Sequence, residues 1–227
     1  GLVVDEVKIP ETHVVVIGES TSRLHMSLYG YKRKTNPKLE SIKDELEIFT
    51  NVFSSRPNTI ESLSQVLTFA DQQKPDLYKT EPTLMSILKQ AGYKIYWVSN
   101  QQTLTTRNTM LTSFAKQADE QFFLNNARSQ NSYSFDEKVF KPYQELLNNQ
   151  DEKKIIFVHL IGTHMSYKYR YPETFKFFND DSMLNNKIPK DKVERINHYD
   201  NAVLYNDHVV YELIDMLKTA KIENSSL

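Results

Sequence analysis

His13-Val-Val-Val-Ile17 is an unbroken β-branched run that stops at Gly18. A run this short, with no polar residue alternating into it, predicts a strand buried on both faces, the situation of a parallel sheet covered by helices. Runs of similar length recur at residues 48–53, 94–99 and 155–161. Helical patterns separate them, at 60–69, 83–91, 135–147 and 193–218, where Ile196, Val203, Val210, Leu213 and Leu217 share one face. Gly92, just before the third run, is placed as a helix C-cap. Strand alternating with helix predicts an α/β chain with a largely parallel central sheet and helices on both faces. Residues 100–134, rich in Gln, Asn, Thr and Ser, and 167–192, aromatic and charged without period, read as long loops.

Composition narrows the function. With 227 residues the chain is long enough for one sizeable core. The 28 basic and 29 acidic side chains leave a formal net charge of -1, so no basic stripe for nucleic acid is available. No stretch approaches the roughly 20 apolar residues of a membrane span. The absence of cysteine removes disulfides and thiolate metal sites but says nothing of compartment.

In such a sheet, ligands bind beyond the carboxyl ends of the strands. Three chemically able groups fall there. Glu19, in Gly18-Glu19-Ser20, ends the first run as a potential metal ligand; the position equally suits a cap or a partner for Arg23. Thr59 follows the second run at a helix start, where free N–H groups and the helix dipole favour an alkoxide and a phosphate. It can act as a nucleophile, or as part of a cap, since Asn58-x-x-Glu61 is close to a capping box. His164, in Gly162-Thr-His164 after the fourth run, can be a ligand or proton carrier. His159 lies inside an apolar run and reads as a core histidine bonded to a neighbour. His198 and His208 fall on the last helix as solvated or satisfied side chains, and His25 is structural or lines the pocket.

Val14-Val-Val-Ile-Gly-Glu-Ser20 with Arg23, Ser27-Leu-Tyr-Gly-Tyr31, Thr35-Asn-Pro37 and Gly162-Thr-His164 resemble the corresponding blocks of the bacterial phosphoethanolamine transferases, which belong to the sulfatase and alkaline-phosphatase-like superfamily. Arg56-Pro-Asn-Thr-Ile-Glu61, Asn100-Gln-Gln102, Tyr167-Lys-Tyr-Arg-Tyr-Pro172 and Tyr199-Asp-Asn201 are similar to the branch that modifies the lipopolysaccharide core and has no cysteines around its nucleophile. The resemblance runs from about residue 12 onward.

It implies an alkaline-phosphatase/sulfatase-like α/β sandwich. It also implies transfer of phosphoethanolamine from phosphatidylethanolamine to lipopolysaccharide, at a core sugar or lipid A, through a zinc-activated Thr59 phospho-intermediate. Glu19 and Thr59 then hold zinc, while His164 and Asn100 contact substrate. The family's D-H-G block, which supplies the remaining Asp and His ligands, is expected beyond Leu227, so the C-terminal part of the sandwich is missing. Residues 1–12 become a linker from a membrane anchor that is absent here, and 13–227 the N-terminal part of a periplasmic catalytic domain at the inner membrane. The complete protein is expected to be a monomer, and its activity is of the kind that underlies polymyxin resistance. Two other readings stand: a sulfatase or phosphodiesterase on the same fold, or a non-catalytic headgroup-binding fragment. Ser55-Arg-Pro57 superficially resembles the start of a sulfatase motif, but Thr59 stands where that motif needs Arg.

Overall fold

The computed structural model describes residues 11–54, 63, 67, 73–74, 76, 82–103, 109–151 and 153–225. Four parallel strands form one sheet in the order β1-β4-β2-β3: β1 Glu11–Ile17, β2 Lys94–Gln102, β3 Glu120–Asn125 and β4 Lys153–His159. In register, Ile17 of β1 and Ser99 of β2 both pair with His159 of β4, so three strands reach one edge level with one another.

Alternation along the central strands divides the core into two layers. Tyr96, Val98, Ile156 and Val158 face one side. They pack on Tyr143, Leu146 and Leu147 of α4 (Phe140–Leu147) and on Ala202, Val209 and Leu213 of α5 (Lys190–Ser225). Ile95, Trp97, Ile155 and Phe157 face the other side, against Met85 of α2 (Leu84–Gln90), Phe114 of α3 (Thr109–Ala115), Leu63 and Leu67. The sheet is therefore covered on both faces, as the strand and helix alternation required. Trp97 stacks on its register partner Phe157 with centroids 5.5 Å apart, and burying each such ring contributes roughly 2 to 3 kcal/mol.

Thr83 caps α2 through its hydroxyl, 3.3 Å from the Ser86 N–H. Past the helix end, Gly92 adopts φ +89°, the left-handed C-terminal position that glycine fills without strain. A short helix, α1 (Pro37–Ser41), lies against α5.

Three sequence expectations change. β1 is an edge strand, not one buried on both faces: its only partner among the described residues is β4, and Val15 is 41% exposed. Residues 48–53 form no strand. The carbonyls of Phe49 and Thr50 accept from Tyr29 Oη and Arg23 Nη1 rather than from a neighbouring strand, and Phe49, Val52 and Phe53 are exposed. Residues 100–134 are not one loop. They hold α3 and β3, whose Phe122 and Leu124 join one core layer while Phe123 joins the other. Its polar ends and short length hid this strand, because side-chain packing rather than intrinsic preference fixes an edge strand. No helix among the described residues is long and apolar enough to cross a membrane.

Candidate active site

The chain leaves β1 through Gly18 and Glu19, and leaves β4 through Leu160 to His164. The two exits are tied together at the Glu19 carbonyl. It accepts from the Thr163 N–H at 3.0 Å, the Thr163 hydroxyl at 2.9 Å and the Thr21 hydroxyl at 3.3 Å. Gly162 makes the approach possible. Its φ is +55°, and a Cβ there would lie 2.9 Å from the Glu19 carbonyl oxygen and 3.0 Å from its nitrogen. Only a residue without a side chain fits.

Ser20, next to Glu19, holds φ +53°, a left-handed conformation uncommon for a non-glycine residue and typical of over-determined sites. Two bonds hold that turn in place: the Tyr199 hydroxyl of α5 donates to the Ser20 carbonyl at 2.7 Å and accepts from the Ser22 N–H at 2.7 Å. The Glu19 carboxylate, half-buried, accepts from Ser20 Oγ at 3.0 Å. It thus stands at the strand edge on a backbone fixed from three sides.

A second buried layer supports the β4 exit. Asp136 accepts from the N–H groups of Ile161 and Gly162, both at 2.9 Å, and from Asn100 Nδ2 at 3.0 Å. Burial raises its carboxyl above the ordinary range, and those three donors pull it back. Asn100 is fully buried. Its amide donates to the Ser134 carbonyl as well, and its side-chain oxygen accepts from the Ser134 hydroxyl. The structure thus brings Asn100 to the site as a brace for Asp136 and the Gly162 turn, one layer behind the open edge. Arg170, also buried, donates to the carbonyls of His164 at 3.2 Å and Met165 at 2.9 Å and fixes the loop from its far side.

His164 is half-buried on that loop. Thr59 lies outside the described residues. Four positions later, Leu63 is buried in the layer of Trp97 and Phe157, and the Leu67 N–H donates to its carbonyl at 2.9 Å. His159 follows Ile155 and Phe157 in alternation and meets Trp97 edge-on at 6.2 Å. It is the core histidine the sequence reading expected, but the expected bond is missing at one nitrogen: its Nε2 is buried with no hydrogen-bond partner. Burial depresses it from 6.5 to about 3, so it is neutral at physiological pH.

His25 is structural, with Nδ1 2.7 Å from Asp200 Oδ1; Asp200 also accepts from the Tyr31 hydroxyl and Arg33. Asp136 carried no legible signal, and Arg170 and Tyr199 stood in blocks of the resemblance with no sign of their bracing role, since nothing local to a buried brace says what it will hold. Among the described residues no group of three or more His, Cys, Asp or Glu side chains converges as a metal requires. Glu19 fits as one oxygen ligand of a zinc centre, and the described residues alone do not complete it.

The sequence profile of the Sulfatase family matches residues 11–227. Phosphoethanolamine transferase EptC of Escherichia coli is 52% identical over 215 residues, which cover 93% of this chain and 37% of that protein. Phosphoethanolamine transferase CptA of Salmonella typhimurium is 51% identical over 199 residues, 86% of this chain and 34% of that protein. The crystal structure of the C-terminal periplasmic domain of EcEptC from Escherichia coli, in complex with Zn, aligns with a TM-score of 0.88 at 52% identity, over 93% of this chain and 60% of that one. The chain therefore spans about a third of the length of the curated relatives it matches.

Proposed function

This chain belongs to the sulfatase family, and from that premise we propose that it is part of the catalytic domain of a zinc-dependent phosphoethanolamine transferase at the periplasmic face of a bacterial inner membrane. The reading rests chiefly on one observation: the exits of β1 and β4 are locked at the Glu19 carbonyl, which fixes a carboxylate and the His164 loop at one strand edge. The 52% identity to a phosphoethanolamine transferase across nearly the whole chain supports the same chemistry.

The Thr59 hydroxyl oxygen attacks the phosphorus of phosphatidylethanolamine. A bond forms from Thr59 to phosphorus as the bond to the diacylglycerol oxygen breaks, and the hydroxyl proton leaves toward the departing alkoxide. A hydroxyl or phosphate oxygen of lipopolysaccharide then attacks the same phosphorus and regenerates Thr59. Zinc, held by Glu19 and Thr59 with further ligands outside the described residues, would lower the alcohol's pKa and offset the phosphate charge. His164 is the proton carrier on the acceptor side. Asn100 keeps the turn before His164 in place rather than touching substrate.

The decisive test is substitution of Thr59 in the full-length protein. Thr59→Ala is expected to lower transfer by several orders of magnitude, whereas Thr59→Ser keeps part of it because the hydroxyl survives. Mass spectrometry of the parent after exposure to phosphatidylethanolamine should find phosphoethanolamine on Thr59. A folded Thr59→Ala protein with near-normal turnover would move the nucleophile elsewhere; if Thr59 were only a helix cap, the loss would be about 1 kcal/mol of stability with the rate intact.

A further inference from the structure

The loop that follows His164 turns back toward the start of α5 and leaves a cleft of about 310 Å³ between them, the lower end of the range for small-molecule sites. We propose that this cleft docks the acceptor as a phosphorylated saccharide, an inference that rests on the transferase reading above for its place in the reaction.

Its walls come from the loop after His164 and from the first turns of α5, the helix whose Tyr199 also reaches the Glu19 turn. Tyr167, three residues past His164, meets Tyr199 with ring centroids 4.8 Å apart, and Tyr199 holds Ser20 and Ser22 beside Glu19. A ligand in the cleft is therefore one aromatic wall away from the Glu19 turn. Tyr169 presents a second ring, buttressed at 4.8 Å by Tyr133, which is itself 64% exposed.

Cations are poised over both rings. Lys168 Nζ lies 5.0 Å from the Tyr169 centroid, and Arg195 Cζ lies 5.5 Å from that of Tyr167. Asp191 and Glu194 complete the rim with exposed carboxylates. Two cations and two carboxylates leave no net charge, so the cleft selects neither a plain anion nor a plain cation. The combination fits a ligand with three kinds of surface. The electropositive C–H face of a sugar packs on the negative face of an aromatic ring, its hydroxyls donate to carboxylates, and a phosphate substituent takes the Lys and Arg. A zwitterionic lipid headgroup would use the charges and leave the Tyr133 and Tyr169 platform idle.

The test uses the full-length protein and two probes, delipidated lipopolysaccharide core oligosaccharide with its phosphates and the same oligosaccharide after phosphatase treatment. Tyr169→Ala is expected to raise KM about tenfold for both probes, and the Lys168→Ala/Arg195→Ala pair to raise it about tenfold for the phosphorylated probe alone. kcat, and the rate at which Thr59 is loaded from phosphatidylethanolamine without acceptor, should hold. Unchanged KM values overturn the proposal. So does slower loading of Thr59 in these variants, which would make the cleft a donor-headgroup site. If the parent neither loads Thr59 nor transfers, it is the transferase reading that fails. Direct titration of the phosphorylated oligosaccharide, followed by NMR, then decides the cleft separately: binding that Tyr169→Ala weakens upholds it, and no binding ends it.

Discussion

Gly162 and Asn100 are the residues whose substitution separates positioning from chemistry. Gly162→Ala adds a methyl 2.9 Å from the Glu19 carbonyl at a left-handed φ, so it is expected to cost about 2 kcal/mol or more in urea denaturation. It should also lower zinc affinity of the full-length protein, because the Glu19 backbone must shift. Asn100→Ala removes a donor from the buried Asp136 carboxylate and leaves the Ser134 hydroxyl without its acceptor. A loss of about 2 kcal/mol is expected, measurable in the isolated chain with no substrate present. A folded variant of parental stability whose only defect is a raised KM would instead place Asn100 in contact with substrate. Glu19 and His164 were legible as residue types at strand ends. That Asn100 faces inward was not, because an amide after a strand reads the same whether it meets solvent or a buried carboxylate.

At the scale of elements, α5 organises the loops by reaching back to them. Its Asp207 accepts from the Lys38 and Leu39 N–H groups, both at 2.9 Å, and so serves the first turn of α1, where Asn36 provides no side-chain cap. Burial raises Asp207 from 3.8 to about 6, against the pull of those two donors. Its native carboxyl thus holds a proton more tightly than the unfolded one. The stability it contributes is complete below about pH 3.8 and is lost as pH rises through about 6. His159 has the opposite sign: depressed from 6.5 to about 3, its contribution is complete above about 6.5 and is lost as pH falls toward 3. Between about pH 4 and pH 6 the two slopes oppose each other, each at most about 1.4 kcal/mol per pH unit. Asp207→Asn should remove one of them. Relative to the parent, the variant is expected to lose about 2 kcal/mol more on acidification from pH 6 to pH 4, read from urea midpoints at three pH values. An unchanged slope would mean that Asp207 titrates as an ordinary surface carboxylate.

For the molecule as a whole, the open side of β1 is the exposed feature that matters most. Its outer hydrogen-bonding edge has no partner among the described residues, Val15 is 41% exposed, and Phe49, Val52 and Phe53 add further apolar surface. An unpaired edge beside an apolar face is a template for another strand. The isolated 227-residue chain is expected to self-associate at micromolar concentration, and Val15→Lys to reduce this by placing a charge on that face. Light scattering against concentration checks both statements. A parent that stays monodisperse and monomeric, melting cooperatively at an ordinary temperature, would show that the edge is already satisfied.

The sequence by itself determined the α/β alternation, three of the four strands, both covered faces of the sheet and the strand edge at which Glu19 and His164 would meet. These follow from local information: β-branched runs, helical period, and the glycines that end them. Tertiary structure decided the rest. It made residues 48–53 a loop whose carbonyls accept from side chains instead of a strand, built β3 from a polar stretch, left β1 with one strand partner among the described residues, and made His159 a buried ring with no partner at Nε2. It also recruited Tyr199, Asp136 and Arg170 to hold two loops. Whether a segment becomes a strand, or a buried polar group a brace, depends on which distant backbone lies within hydrogen-bond reach, and only the folded chain brings Tyr199 and Ser20, 179 residues apart, to 2.7 Å.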